Sequence, residues 1–123
     1  MLKILLGIVL GTTIVSATTE QNVEVAEGVA GKLMLPETGK QADRVVLLYH
    51  GWTGKMDEVG DLYKRLANDL GEAGIASLRI DFRGEGERNG HRLTSTFASR
   101  IADGEAALAF VQKELPKAKV GIV

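Results

Sequence analysis

"VVLLYHGWTG", Val45 to Gly54, is the stretch that decides the fold. From Val45 to Tyr49 polar and apolar residues do not alternate; every position is apolar or aromatic. A strand buried on both faces reads that way, and such strands lie in sheets covered by helices on both sides. The run then meets His50-Gly51-Trp52-Thr53-Gly54. Ligands in open α/β sheets bind beyond the carboxyl ends of the strands, which makes these five residues a candidate site. Glycine permits a sharp turn and a close approach of backbone to ligand. A backbone N–H displayed there can donate to a developing oxyanion, an interaction whose loss costs about 3–4 kcal/mol. The plainer reading is a strand-to-helix turn. His50 itself is read as a hydrogen-bonded residue that shapes the turn rather than as a base.

Outward from this stretch the chain alternates strands and helices. Asn22 to Pro36 holds two short apolar runs separated by Glu27-Gly28, the pattern of a hairpin. Glu37 to Asp43 is polar and reads as a loop. Between Asp57 and Glu72, Val59, Leu62, Tyr63, Leu66 and Leu70 follow the spacing of one helix face. Asp57, Glu58 and Asp61 in the first turns would suit the helix dipole, and Gly74 would stop the helix. Ala76 to Ile80 is a second short core strand, and Asp81 to Arg92 a glycine-containing loop. Phe97, Ile101, Leu108, Val111 and Leu115 define one face of another helix, ended by Pro116; Lys119 to Val123 begins a third core strand. Strands alternating with helices predict an α/β fold with a mostly parallel sheet, right-handed crossovers and an N-terminal β-hairpin.

The chain has 123 residues, a net charge of −1 and no cysteine. That length suits a single domain. Its charge gives no sign of a nucleic-acid partner, because Lys and Arg are spread rather than clustered. Without cysteine there are no disulfides or thiolate metal sites, and neither a metal nor a cofactor is expected. Met1-Leu2-Lys3, the apolar run from Ile4 to Val15 and small residues up to Ala17 have the layout of a cleavable signal peptide. Residues 1–17 are therefore expected to be removed, with cleavage after Ala17. Residues 18–123 would be left in a secreted or periplasmic protein without a stable membrane anchor. The apolar strand Gly121-Ile122-Val123 would leave a bare sheet edge, which proteins normally protect. The expectation is an N-terminal part of a longer protein. The alternatives are a small domain ending in an edge strand and one completed by a partner chain.

A second candidate stretch is Asp81-Phe82-Arg83-Gly84-Glu85-Gly86-Glu87-Arg88, which directly follows the next strand. It is a poor phosphate loop: Glu85 and Glu87 would repel phosphate, and no Gly-Lys-Ser/Thr is present. Asp81 and Arg83 are expected to pair and pin the loop, with Gly84 and Gly86 allowing its bends. Ser77, Ser95 and Ser99 are the mature-chain serines, and none lies in G-x-S-x-G. Ser77 falls inside a strand, and Ser95 and Ser99 sit where capping residues are expected. His91 reads as a surface-loop residue.

"LLYHGWTGKMDE", "ASLRIDFRGEGERNG", a helix and "KVGIV" together resemble the N-terminal half of an α/β-hydrolase. The subgroup is that of serine esterases and peptidases of the feruloyl-esterase and serine aminopeptidase kind, with H-G-[FW]-T-G after one strand and D-x-R-G-x-G after the next. The resemblance covers roughly Val29 to Val123. It implies that the Trp52 N–H contributes to an oxyanion hole, shaped by His50 and Gly51. It also implies a nucleophilic Ser in a G-x-S-x-G elbow after the strand "KVGIV", then an acid and a His. None of these three is in the chain, so the 123-residue polypeptide alone is expected to lack triad-dependent activity. Arg88 stands where a small Ser is common. The implied function is ester or amide cleavage of a small-molecule ester or a peptide by acyl transfer. The alternatives are a binding module that kept the fold without the triad and, less well supported, a nucleotide-binding domain.

Overall fold

The computed structural model describes residues 17–86 and 95–123. The signal peptide expected over residues 1–17, apart from Ala17, lies outside the described residues, as do Arg88 and His91. Strand β1 (Thr19–Ala26) and strand β2 (Val29–Leu35) form the antiparallel hairpin. The expected loop contains a single 3-10 turn, Gly39–Gln41. Strand β3 (Arg44–Tyr49), helix α1 (Leu62–Glu72), strand β4 (Ala76–Ile80), helix α2 (Phe97–Glu114) and strand β5 (Lys119–Ile122) follow in order.

The five strands make one sheet in the order β1-β2-β4-β3-β5. β3 pairs in parallel with both β4 and β5, whereas β2 runs antiparallel to β1 and β4. Only β2 therefore opposes the common direction. β3 lies inside the sheet, which is why its residues are apolar without alternation. Val45 and Leu47 pack with Ala107, Val111 and Leu115 on the α2 face. Leu48 packs with Met34 and Ala67 on the α1 face, with Val46, Tyr63 and Leu66 beside them. Each fully buried Leu or Val contributes about 1.5–3 kcal/mol of transfer free energy.

Both helices depart from their expected form. The helix expected from Asp57 begins at Leu62, after a 3-10 turn at Val59–Asp61. Glu58, Gly60 and Asp61 all have positive φ there, which breaks the helical path. Val59 is 91% exposed and Leu62 is also exposed; the inward face is Tyr63, Leu66, Ala67 and Gly71. Asp57 does not sit in a first helical turn. Its carboxylate accepts from Arg79 Nε at 2.7 Å. In α2 the buried residues are Asp103, Ala107 and Val111, while Phe97 is 82% exposed and Ile101 is exposed too. The apolar residues of α2 thus cover two adjacent stripes, one facing the sheet and one beside β5.

Arg79, in the middle of β4, is fully buried. Its Nη1 reaches Glu20 of β1 at 3.0 Å, so it joins the hairpin, β4 and the segment leading into α1. Removing one partner of such a buried pair typically costs about 3–5 kcal/mol, because a desolvated charge is left behind.

Candidate active site

The carboxyl ends of β3 and β4 are neighbours in the sheet, and their two loops interlock. His50 is buried under the first loop. Its Nε2 accepts the Phe82 N–H at 3.1 Å and its Nδ1 lies 2.7 Å from the Gly51 carbonyl. Phe82 can only donate and the carbonyl can only accept, so the ring is assigned the neutral Nδ1–H tautomer. Both nitrogens are used, which leaves no lone pair for a base. The Phe82 ring stands edge-on to His50, with centroids 5.0 Å apart.

Three amides of the turn find acceptors, one inside it and two outside. Gly54 N–H donates to the Gly51 carbonyl at 3.0 Å. Gly51 N–H points to a Glu58 carboxylate oxygen at 3.5 Å, the outer limit of a hydrogen bond. Thr53 adopts a left-handed φ of 67° and donates its N–H to Glu85. Between them, the Trp52 N–H has no acceptor among the described residues. The Trp52 indole is 54% exposed and lies near Phe97.

The second loop supplies the acceptors. Asp81 accepts the Met56 N–H at 2.7 Å. Arg83 pairs with Asp103 of α2 at 3.1 Å, and its main-chain N–H donates to the same carboxylate at 2.8 Å. The Asp81–Arg83 pair expected from the sequence does not form. The reason is geometric: Asp81 turns in toward the first loop, whereas Arg83, on the outer side, meets the buried Asp103. Gly84 and Gly86 both have positive φ. A side chain at Gly86 would run into the Asp81 carboxyl, so this position needs glycine on both counts.

Glu85 is the residue that the sequence reading passed over as merely hostile to phosphate. It is 4% exposed. Its carboxylate accepts from the Thr53 N–H, from Ser95 Oγ at 2.8 Å and from Arg100. Burial pushes its pKa up, but the bonds from Ser95, Thr53 and Arg100 and the Arg100 charge outweigh that and hold it below the ordinary glutamate value. An acid between two glycines was a partial signal, because flanking glycines give a carboxylate no cover of their own. The cation that answers it lies 15 residues away on α2.

Of the serines, Ser77 is buried in β4 and Ser95 serves Glu85. The N-cap of α2 is Thr96, which forms a reciprocal capping box with Ser99. The expected capping role thus holds for Ser99 but not for Ser95. Burial pushes the Tyr49 hydroxyl up to about 12, and it donates to the Gly104 carbonyl at 2.7 Å. Beside β5, Tyr49, Phe97, Arg100, Ile101, Leu108 and Ile122 line an open groove of about 430 Å³. Among the described residues no group of three or more His, Asp or Glu side chains could hold a metal ion. No helix among them is long and apolar enough to cross a membrane.

A family model described as "Serine aminopeptidase, S33" matches residues 40–123, which include both loops. The chain belongs to the serine aminopeptidase S33 family. Among solved structures it is similar to a cold-adapted esterase from an Arctic intertidal metagenomic library, at 29% identity and TM-score 0.62 over 85% of this chain and 48% of that one. It is similar in fold to the dienelactone hydrolase of Anabaena variabilis, at 23% identity and TM-score 0.67 over 85% of this chain and 50% of that one. Est1E of Butyrivibrio proteoclasticus, solved with ferulic acid bound, matches at 21% identity and TM-score 0.66 over 84% of this chain and 41% of that one. No curated protein sequence matches the chain. The architecture is that of the N-terminal half of the α/β-hydrolase fold. The chain spans half or less of the length of these three structures.

Proposed function

We propose that this chain is the oxyanion-hole half of a secreted or periplasmic serine hydrolase that cleaves an ester or an amide. The observation that carries the proposal is the Trp52 N–H, which has no acceptor among the described residues while Thr53 and Gly54 on its C-terminal side are bonded. It stands at the carboxyl end of a core strand, where the fold places its chemistry. In the proposed reaction a Ser supplied from outside these residues attacks the acyl carbon as a His takes its proton. The carbonyl oxygen becomes an oxyanion that accepts from the Trp52 N–H. Collapse expels the alcohol or amine, which takes the proton back, and water then hydrolyses the acyl-enzyme by the same steps. His50 and Gly51 shape the turn and take no proton.

Support for the class comes from the family match and from the resemblance to esterases. Support for export rests on the sequence of residues 1–17 alone. The test is to read the gene past the Val123 codon and express the resulting protein beside residues 18–123. A fluorophosphonate should label the longer protein, which should give a burst with a p-nitrophenyl ester, while the 18–123 polypeptide stays unlabelled. Stoichiometric labelling of the 18–123 polypeptide overturns the assignment of the nucleophile. An in-frame stop, or a glycine in place of the elbow serine, favours a non-catalytic binding module.

A further inference from the structure

We propose that Glu85 and Arg100 form a charged clamp that sets the His50–Gly54 turn and thereby aims the Trp52 N–H. Glu85 is then a positioning residue; the meaning of its role rests on the oxyanion function proposed for Trp52, whereas its existence rests on the contacts themselves.

Arg100 on α2 has two hands on the first loop. Its Nη2 donates to the His50 carbonyl at 2.7 Å, and its Nη1 donates to Glu85. Glu85 in turn accepts the Thr53 N–H. The two residues that bracket Gly51-Trp52 are thus both held from outside the turn, through one ion pair. Thr53 needs such a hold. A left-handed conformation is unfavourable for a residue with a side chain, and it persists only where the surroundings over-determine it. The arginine is caged as well. Its guanidinium lies 3.9 Å from the Phe82 ring centroid and 5.4 Å from that of Trp52. A change in the clamp therefore reaches Trp52 through the backbone and through the ring.

The other charged groups nearby have their own bonds. Asp81 takes the Met56 N–H, Arg83 and Asp103 pair with each other, Glu58 faces the Gly51 N–H, and both His50 nitrogens are occupied. Among the described residues Arg100 is the cation that contacts Glu85, which also accepts from Ser95 and Thr53. The Glu85 carboxyl lies below its ordinary value in the folded chain. The clamp's contribution is therefore full above the ordinary glutamate pKa and is lost as the pH falls through the lower folded value.

Trp52 is the only tryptophan in the chain, so its fluorescence reports this turn without a label. The experiment is a pH titration of the 123-residue chain followed by Trp52 emission and by the Thr53 amide shift in NMR spectra. Both signals are expected to move together, with a midpoint below the ordinary glutamate value, while the core amides of β3 stay in place. E85Q should abolish that titration and give at neutral pH the Trp52 and Thr53 signals of the acid form. R100K keeps a charge but loses one of the two donating arms, and it should raise the midpoint. A Trp52 signal that ignores pH in the wild type overturns the clamp, as does one that titrates unchanged in E85Q. Should E85Q fail to fold, the wild-type and R100K titrations still decide. Neither readout needs turnover. A titrating turn in a protein without hydrolase activity would sink the proposed function and leave the clamp standing.

Discussion

The loops after β3 and β4 are both glycine-bearing and rooted at the same end of the sheet, yet they do opposite things. The loop after β3 presents backbone donors: the amides of Trp52, Thr53 and Met56. The loop after β4 presents carboxylates, with Asp81 and Glu85 accepting from Met56 and Thr53. Even a bond in the reverse direction, Phe82 N–H to His50 Nε2, ties the second loop under the first. One loop displays, and the other holds it in place. A carboxylate accepting from a backbone N–H makes a charge-assisted bond, about twice as strong as a neutral one. That suffices to keep a turn with a left-handed threonine from relaxing.

The largest expected effect tests what the first loop displays. If the backbone matters and the indole does not, W52P and W52A must differ. Proline removes the N–H and should lower kcat of the nucleophile-bearing protein by about 10²–10³, or about 3–4 kcal/mol. Alanine keeps the N–H and should retain most of the rate. Steady-state kinetics decide the matter, with thermal melts to show that both variants fold. Equal losses in the two would move the role to the indole and undo the contrast between the loops.

Next comes the bolt between them. H50A strands the Phe82 N–H and empties a buried site, which should destabilise the chain by about 2–4 kcal/mol in urea unfolding. A histidine acting as base would behave differently, losing rate with stability intact. G86A follows. It places a side chain at φ 79° and against the Asp81 carboxyl, so the Met56 bond must give way. The expected cost is about 2–3 kcal/mol, read as a lowered melting temperature. A G86A chain that melts with the wild type would mean that Asp81 does not need its present place.

These differences also mark what the sequence could disclose. The unalternating Val45–Tyr49 announced a strand inside a two-faced sheet, and the sheet order puts it there. The hairpin was legible because its two runs meet at a glycine. The start of α1 was not, because three positive-φ residues within four positions, Glu58, Gly60 and Asp61, interrupt a spacing that otherwise looks helical. Phe97 and Ile101 fit one helical stripe with Val111, but they flank β5 instead of facing the core, and periodicity cannot distinguish a covered stripe from an open one. At the site, the glycines and His50 could be read locally. The partners of Asp81, Arg83 and Glu85 could not, since each is set by which loop or helix the fold brings alongside. Glu85 with Arg100, and Arg83 with Asp103, are pairs only in three dimensions.

The smallest expected effect is at Gly51, and it tests whether the displaying loop is bare for its own sake. The sequence suggests that glycine is needed there for the turn. In the structure Gly51 has no left-handed φ, and a Cβ added to it meets nothing within 4 Å. Within this chain nothing demands glycine at that position. G51A should therefore leave stability within about 0.5 kcal/mol of wild type, or raise it slightly by reducing the freedom of the unfolded chain. In the proposed reaction an acyl group held by the Trp52 N–H would lie next to this position in the chain, so the rate tests whether an added methyl meets it. The paired expectation is an unchanged melting temperature with a lower kcat/KM in the nucleophile-bearing protein. A melting temperature that falls in step with the rate would return Gly51 to a purely structural role. An unchanged rate with unchanged stability would remove it from the site altogether. Only the split, stability kept and rate lost, is what a loop built to display its backbone requires.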